Sequence, residues 1–239
     1  CKFVPCHADI LRYIFENNRS SLNQHLMKTH SDNDHIKVSI LGCGPGTELL
    51  GLAKWIERKA RKRINLKVFL ADQNQDWEIY CQMLTKHIEL KCDLKLNFLE
   101  INFNKIDIEN TIENGNGLGP IKEIDIFIMS YVFSEICKDQ IKLNSFQKLF
   151  NTIAFNAKKG SKIILIDRNE PIVKNELVEV LRRARISVTE LNYPSQNLKR
   201  TFTRHDAEKV NFKMDIDIGQ IDQVNDFWKQ IINNGIEPR

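Results

Sequence analysis

A turn of the form Gly42-Cys43-Gly44-Pro45-Gly46 follows directly on the apolar run Ile36–Leu41 and precedes a helical pattern from about Thr47 to Lys62. Glycines at such a turn let backbone approach a ligand closely and take up φ values that side chains resist. In an open α/β sheet, a turn at the carboxyl end of a strand lies where cofactors bind. The spacing is Gly-x-Gly-x-Gly, which departs from the dinucleotide pattern G-x-G-x-x-G: counted from Gly42 the sixth residue is Thr47, and from Gly44 it is Leu49. Pro45 removes a backbone N–H that would have faced a pyrophosphate. No Gly-Lys-Ser/Thr follows, so the turn is not a P-loop either. What strengthens it is its setting, upstream of a second apolar run, Asn65–Ala71, that ends in the acid Asp72.

A second constellation stands at the N-terminus. Cys1 and Cys6, followed by His25 and His30, are the residue types of a Cys2His2 zinc finger. The 18 residues between Cys6 and His25 exceed the spacing of about 12 usual for such fingers. The structural alternative is an amphipathic helix, because Ile10, Leu11, Ile14, Leu22 and Leu26 fall near helical spacing over Ala8–Lys28.

The elements that must carry the turn alternate along the chain. Beyond the second strand the pattern predicts a helix over Gln75–Leu90, a strand over Leu94–Phe103 and a weaker helix over Ile106–Glu113. After the turn-rich segment Asn114–Pro120 come a strand over Ile124–Tyr131, a helix over Gln140–Ala157 and a strand over Ser161–Asp167. Pro171 opens another helix to about Ala184, as proline does in a first turn. The finish differs: Ile186–Leu191 and Phe212–Ile218 look like strands joined without a helix, and Ile221–Asn233 closes as a helix. Alternation of this kind implies an α/β fold, Rossmann-like, with a mainly parallel sheet, helices on both faces and an antiparallel C-terminal hairpin. The domain reading is a helical segment over residues 1–34 and one α/β domain over 35–239.

Composition bounds the rest. The chain has 239 residues, 42% hydrophobic and 28% charged, which is neither disordered nor membrane-like. Its apolar runs are strand-sized, far short of the roughly 20 residues that span a bilayer. No N-terminal stretch has the basic-then-apolar layout of a signal peptide, and the chain opens on Cys1 rather than Met. Six cysteines do not make a disulfide scaffold here; the apolar settings of Cys43 and Cys81 suggest free thiols in a reducing, cytoplasmic or nuclear compartment. The net charge of +4 is uneven, with Lys54, Arg58, Lys59, Arg61, Lys62 and Arg63 within ten residues and Lys199, Arg200 and Arg204 in a second group. Such groups neutralise phosphates, although charge runs more commonly form solvated surface.

From about Ala8 onward the chain resembles the class I S-adenosylmethionine-dependent methyltransferases. Ile40–Thr47 resembles their first motif, Val68–Asp72 their second strand with its terminal acid, Phe98–Phe103 their third-strand turn and Ile124–Glu135 their fourth-strand motif. The terminal hairpin matches the family's reversed seventh strand, which would make seven strands in all. The resemblance implies a methyl-transferring enzyme with S-adenosylmethionine as cofactor. Under it, Gly42, Cys43, Gly44 and Gly46 would pass beneath the methionine portion, and Asp72 would accept hydrogen bonds from both ribose hydroxyls. Gln73 and Trp77 would line the adenine side, Asn102 would read its amino group and Phe103 would pack on the ring. Ser130 and Tyr131 would face the methyl donor and the acceptor. The bland readings remain beside these: Asp72 as a helix cap, Trp77, Phe103 and Tyr131 as core aromatics, and Ser134 with Glu135 as a helix start.

Where the family usually has an acid two residues before the first glycine, this chain has Ile40. That acid normally helps to hold the donor's amino group, and Glu48 is a candidate to stand in for it. A fold of this family without catalysis, serving as a binding or assembly module, is therefore the alternative function, and the zinc-finger-like N-terminus a further one. As to acceptor, Ser130-Tyr131-Val132-Phe133 occupies the place of the Asp/Asn-Pro-Pro-aromatic motif, which argues against exocyclic amines of adenine or cytosine. RNA, protein and small molecules stay open, with the basic groups favouring RNA. No membrane partner is expected.

Overall fold

Strands covered on both faces read as nearly unbroken apolar runs, and five such segments pair in the computed structural model: His35–Leu41 (β1), Ile64–Asp72 (β2), Leu96–Lys105 (β3), Ile126–Ser130 (β4) and Lys162–Ile166 (β5). The structure describes residues 8, 11, 12, 14, 15, 35–59, 64–91, 96–106, 117–167 and 170–187. The sheet order is β3-β2-β1-β4-β5, and every pairing is parallel. Between the strands lie Thr47–Lys59 (α1), Trp77–Lys91 (α2), the short Phe133–Ile136 (α3) and Gln140–Asn156 (α4), and Pro171–Arg183 (α5) follows β5.

The register sorts the side chains into two layers. Ile36, Val38 and Ile40 of β1 stand level with Leu66, Val68 and Leu70 of β2, and Val38 and Ile40 also with Ile126 and Ile128 of β4; all are buried. The alternate positions Leu41, Phe69, Ala71, Phe127 and Met129 join the opposite core, with Phe146, Leu149, Phe150 and Ile153 of α4 and Val173, Val180 and Leu181 of α5. Each large apolar side chain buried in this way contributes roughly 1.5–3 kcal/mol. Right-handed crossovers explain the division, since β1-α1-β2-α2-β3 winds outward one way and β4-α4-β5 the other. Ala8 and Phe15 rest on α1: a Cβ on Gly51 would come within 2.5 Å of the Ala8 carbonyl, and the Phe15 ring stacks on Trp55 at 4.7 Å.

At the amino edge of the sheet the buried Asp125 accepts the Lys37 N–H at 2.8 Å and pairs with Lys158 at 2.5 Å, tying β1, β4 and β5 far from the glycine turn.

Several expected boundaries move. The third strand ends two residues later than the alternation suggests, at Lys105, and the expected start at Leu94 lies outside the described residues. The fourth stops at Ser130, because Tyr131 adopts φ 61° and cannot continue an extended strand. Ile106, expected to open a weak helix, instead follows β3 and gives its N–H to the Asp72 carbonyl at 2.9 Å. Ile186 and Ser187 carry no strand. The rest of the C-terminal hairpin, the closing helix, and Cys1, Cys6, His25 and His30 lie outside the described residues, among which five strands stand.

Candidate functional site

In a doubly wound sheet the ligand crevice opens where the winding reverses, outside the carboxyl ends of the strands. Here the reversal lies between β1 and β4, and Leu41 stands level with Met129, so the residues that follow each strand meet. A Cβ on Gly42 would overlap Val132 Cγ2, and Gly42 has φ 66°; both facts exclude a side chain there. The same turn is fastened to β2, because the N–H groups of Gly42 and Cys43 both donate to the Ala71 carbonyl, at 2.8 and 3.2 Å.

Each remaining glycine answers a different neighbour. Gly46 faces α2, where an added Cβ would stand 3.1 Å from Leu84 Cδ2 and 3.5 Å from Cys81 Sγ. Gly44, at φ 46°, has nothing within 4 Å of the position a Cβ would take. It is the one glycine of the three that borders open space, a cradle that a side chain would fill. Asp72 closes this cradle from the side: its Oδ2 accepts the Gly44 N–H at 2.9 Å and its Oδ1 accepts the Asn74 N–H at 3.0 Å.

Two thiols brace the turn from beneath. Cys43 and Cys81, both buried and free, point their sulfurs at the Gly44 carbonyl, at 3.6 and 3.4 Å. Hydrogen bonding to Cys81, and then burial, push the Cys43 thiol well above its ordinary range. It stays protonated and is buried.

Glu48 enters from the first turn of α1 and is 4% exposed. Burial raises its carboxyl to about 7, against smaller lowering by its own backbone N–H and by the Ser130 hydroxyl, while the negative charge of Asp72 raises it further. Glu48 Oε2 and Ser130 Oγ nevertheless lack a geometrically sound hydrogen bond among the described residues. Buried polar atoms normally find partners, so two orphans side by side at the end of β4 suit a polar group brought by a ligand.

The sequence-derived candidates thus divide. Gly42, Gly44, Gly46, Glu48, Asp72 and Ser130 all lie at or just past the carboxyl ends of β1, β2 and β4, and of the three glycines only Gly44 borders open space. Gln73 is exposed just past Asp72, and Trp77 starts α2 half-buried with its ring 5.5 Å from Tyr80. Tyr131 is half-buried beyond β4, its N–H donating to the Ile166 carbonyl at 2.7 Å. Asn102 and Phe103 are not brought to Asp72: they pair with Phe69 and Leu70 inside the sheet, and the Asn102 amide donates to Glu100 at 3.0 Å. Lys105 stands level with Asp72 at the true end of β3. Ser134 begins α3 region contacts rather than the crevice, its N–H donating to Asp167 at 3.1 Å. Val132 and Cys81 are contacts that sequence reading missed. Neither carries a signal, because an apolar residue after a strand and a cysteine 37 residues past Gly44 become neighbours of the turn only through the fold.

Five parallel strands in this order, with a glycine turn after β1 tied to an acid that ends β2, make a Rossmann-like, doubly wound α/β fold. Among solved structures the chain is similar to the DszA carbon methyltransferase at 13% identity and a TM-score of 0.43, covering 76% of this chain and 39% of that one. It is similar to DesVI of Streptomyces venezuelae at 13% and 0.38, covering 69% and 52%. A proposed S-adenosyl-L-methionine-dependent methyltransferase of Methanococcus maripaludis matches at 13% and 0.38, covering 100% and 80%. The chain therefore spans well under two thirds of the first two proteins. No protein-family model matches the chain, and no curated protein does. No helix among the described residues is long and apolar enough to cross a membrane.

Proposed function

We propose that the chain binds S-adenosylmethionine in the crevice between the glycine turn and Asp72 and transfers the methyl group to an acceptor. The supporting observation is the open cradle over Gly44 with the Asp72 carboxylate at its rim. The cofactor supplies an already activated methyl group, so the protein's task is chiefly alignment and proximity. Asp72 spends one acceptor site of each oxygen on the backbone and keeps one on each for a ribose hydroxyl, since a carboxylate has about four such sites. Gln73 and Trp77 are placed to border the base, and Glu48 to serve where Ile40 has replaced an acid. Ser130 and Tyr131 border the acceptor side, where a base is needed only if the acceptor carries a proton at the attacking atom.

RNA is the acceptor class favoured, on the net charge of +4 and the basic run from Lys54 to Arg63. The buried free thiols Cys43, Cys81 and Cys137 suit a reducing cytoplasmic or nuclear setting. The test uses donor with a labelled methyl group and separate pools of RNA, protein and small metabolites. Label entering RNA with wild type and lost with Asp72→Ala supports the reading. Label entering another pool corrects the acceptor, and donor binding without transfer to any pool favours the non-catalytic module that the residue at Ile40 motivates.

A further inference from the structure

Glu48 and Ser130 reach the same point from different elements, the first turn of α1 and the last residue of β4. They are 4% and 8% exposed, and Glu48 Oε2 and Ser130 Oγ have no hydrogen-bond partner among the described residues. The groups facing Glu48 are the neutral Ser130 hydroxyl from β4, the Asp72 carboxylate from β2 and, in the turn, the Cys43 thiol, which feels the Glu48 charge in return. No cation faces Glu48 among the described residues. A carboxylate at that depth lacks compensation, and such groups take up a proton rather than stay charged. The pair is thus suited to a cation that none of the described residues provides.

We propose that Glu48 and Ser130 form a receptor for the primary ammonium group of the ligand, and that filling it drives off the proton Glu48 carries when the receptor is empty. The proposal rests on the methyl-donor reading, under which the ligand ends in an α-ammonium group. That group brings the missing charge. It donates to Glu48 Oε2 and to Ser130 Oγ, and the displaced proton passes to the buffer. By linkage, affinity for an ammonium-bearing ligand rises with pH, by up to about tenfold per unit, until Glu48 is already ionised in the free protein. A ligand with the same nucleoside but no ammonium group gains nothing.

The test is calorimetric titration of the full chain near pH 6 in two buffers of different ionisation enthalpy, which reports the protons exchanged. The probes are S-adenosylhomocysteine and 5′-methylthioadenosine, the latter lacking the amino acid portion. Close to one proton is released per S-adenosylhomocysteine on wild type, none per 5′-methylthioadenosine, and none with either on Glu48→Gln. Binding of S-adenosylhomocysteine to wild type with no proton release overturns the proposal and leaves the donor reading standing, as does equal release from the two probes. Absence of binding by either probe at millimolar concentration overturns the donor reading and the proposal together. If Glu48→Gln fails to fold, the two probes on wild type decide.

Discussion

Asp72 Oδ2 accepts the Gly44 N–H at 2.9 Å, so the acid that ends β2 holds in place the residue of the turn that borders open space. One side chain therefore has two tasks, to fix the turn and to offer its remaining acceptor sites to a ligand. Asp72→Ala is expected to lower nucleoside affinity by about 10- to 100-fold, the scale of a hydrogen bond to a charged group. It should also lower folding stability by roughly 1–2 kcal/mol as the Gly44 and Asn74 N–H groups lose their acceptor. Titration calorimetry and urea unfolding separate the two effects, and a variant that loses stability but no affinity would remove Asp72 from the binding surface.

Two alanine substitutions in the same turn should behave differently. Gly42→Ala forces a left-handed φ and overlaps Val132, so a loss of about 2–4 kcal/mol is expected from the conformational penalty and the clash. Val132→Ala in the same chain should recover part of it, a non-additive pair on a shared contact. Gly44→Ala meets no atom and should cost only about 1–2 kcal/mol of backbone strain, while its methyl group occupies the cradle and weakens ligand binding. Thermal unfolding and calorimetry on the three variants check the contrast, which is lost if Gly44→Ala binds as wild type does.

Glu48 makes the free protein's stability depend on pH. Its folded value of about 7 lies above the ordinary 4.5, so between those values the folded state holds more protons than the unfolded one. Stability therefore falls as pH rises through that window and is flat above it. At about 1.4 kcal/mol per unit the loss has an upper bound of about 3 kcal/mol. Glu48→Gln should erase this slope and be more stable than wild type at pH 8, as read by urea unfolding across pH 4.5–8. An unchanged slope in the variant would assign the pH dependence elsewhere.

The thiol at Cys43 is buried and held protonated beside Cys81. Alkylating reagents act on thiolates, so iodoacetamide at pH 8 should leave Cys43 unlabelled until the chain is unfolded. Rapid native labelling at Cys43, mapped by mass spectrometry, would show that the turn opens.

Much of the frame was legible because a parallel sheet buried on both faces leaves plain apolar runs, as in Ile36–Leu41 and Val68–Ala71, with glycine and acid at their ends. The turn and Asp72 could be placed together because local pattern and fold logic agree there. Other features depend on contacts that no local pattern encodes. Tyr131 takes a positive φ without a glycine to announce it, which shortens β4 by one residue. The late end of β3 carries Asn102 back into the sheet, since polar Asn102, Asn104 and Lys105 look alike whether they end a strand or follow it. Glu48 was legible only as an acid near the turn; its burial, and hence its chemistry, comes from packing beneath β4.

The central claim is tested most directly by titrating the full chain and Asp72→Ala with S-adenosylmethionine in the calorimeter. Saturable binding of one donor per chain, weakened at least tenfold in the variant, is the expected result. No heat at millimolar donor, or equal affinity in the two proteins, would contradict it.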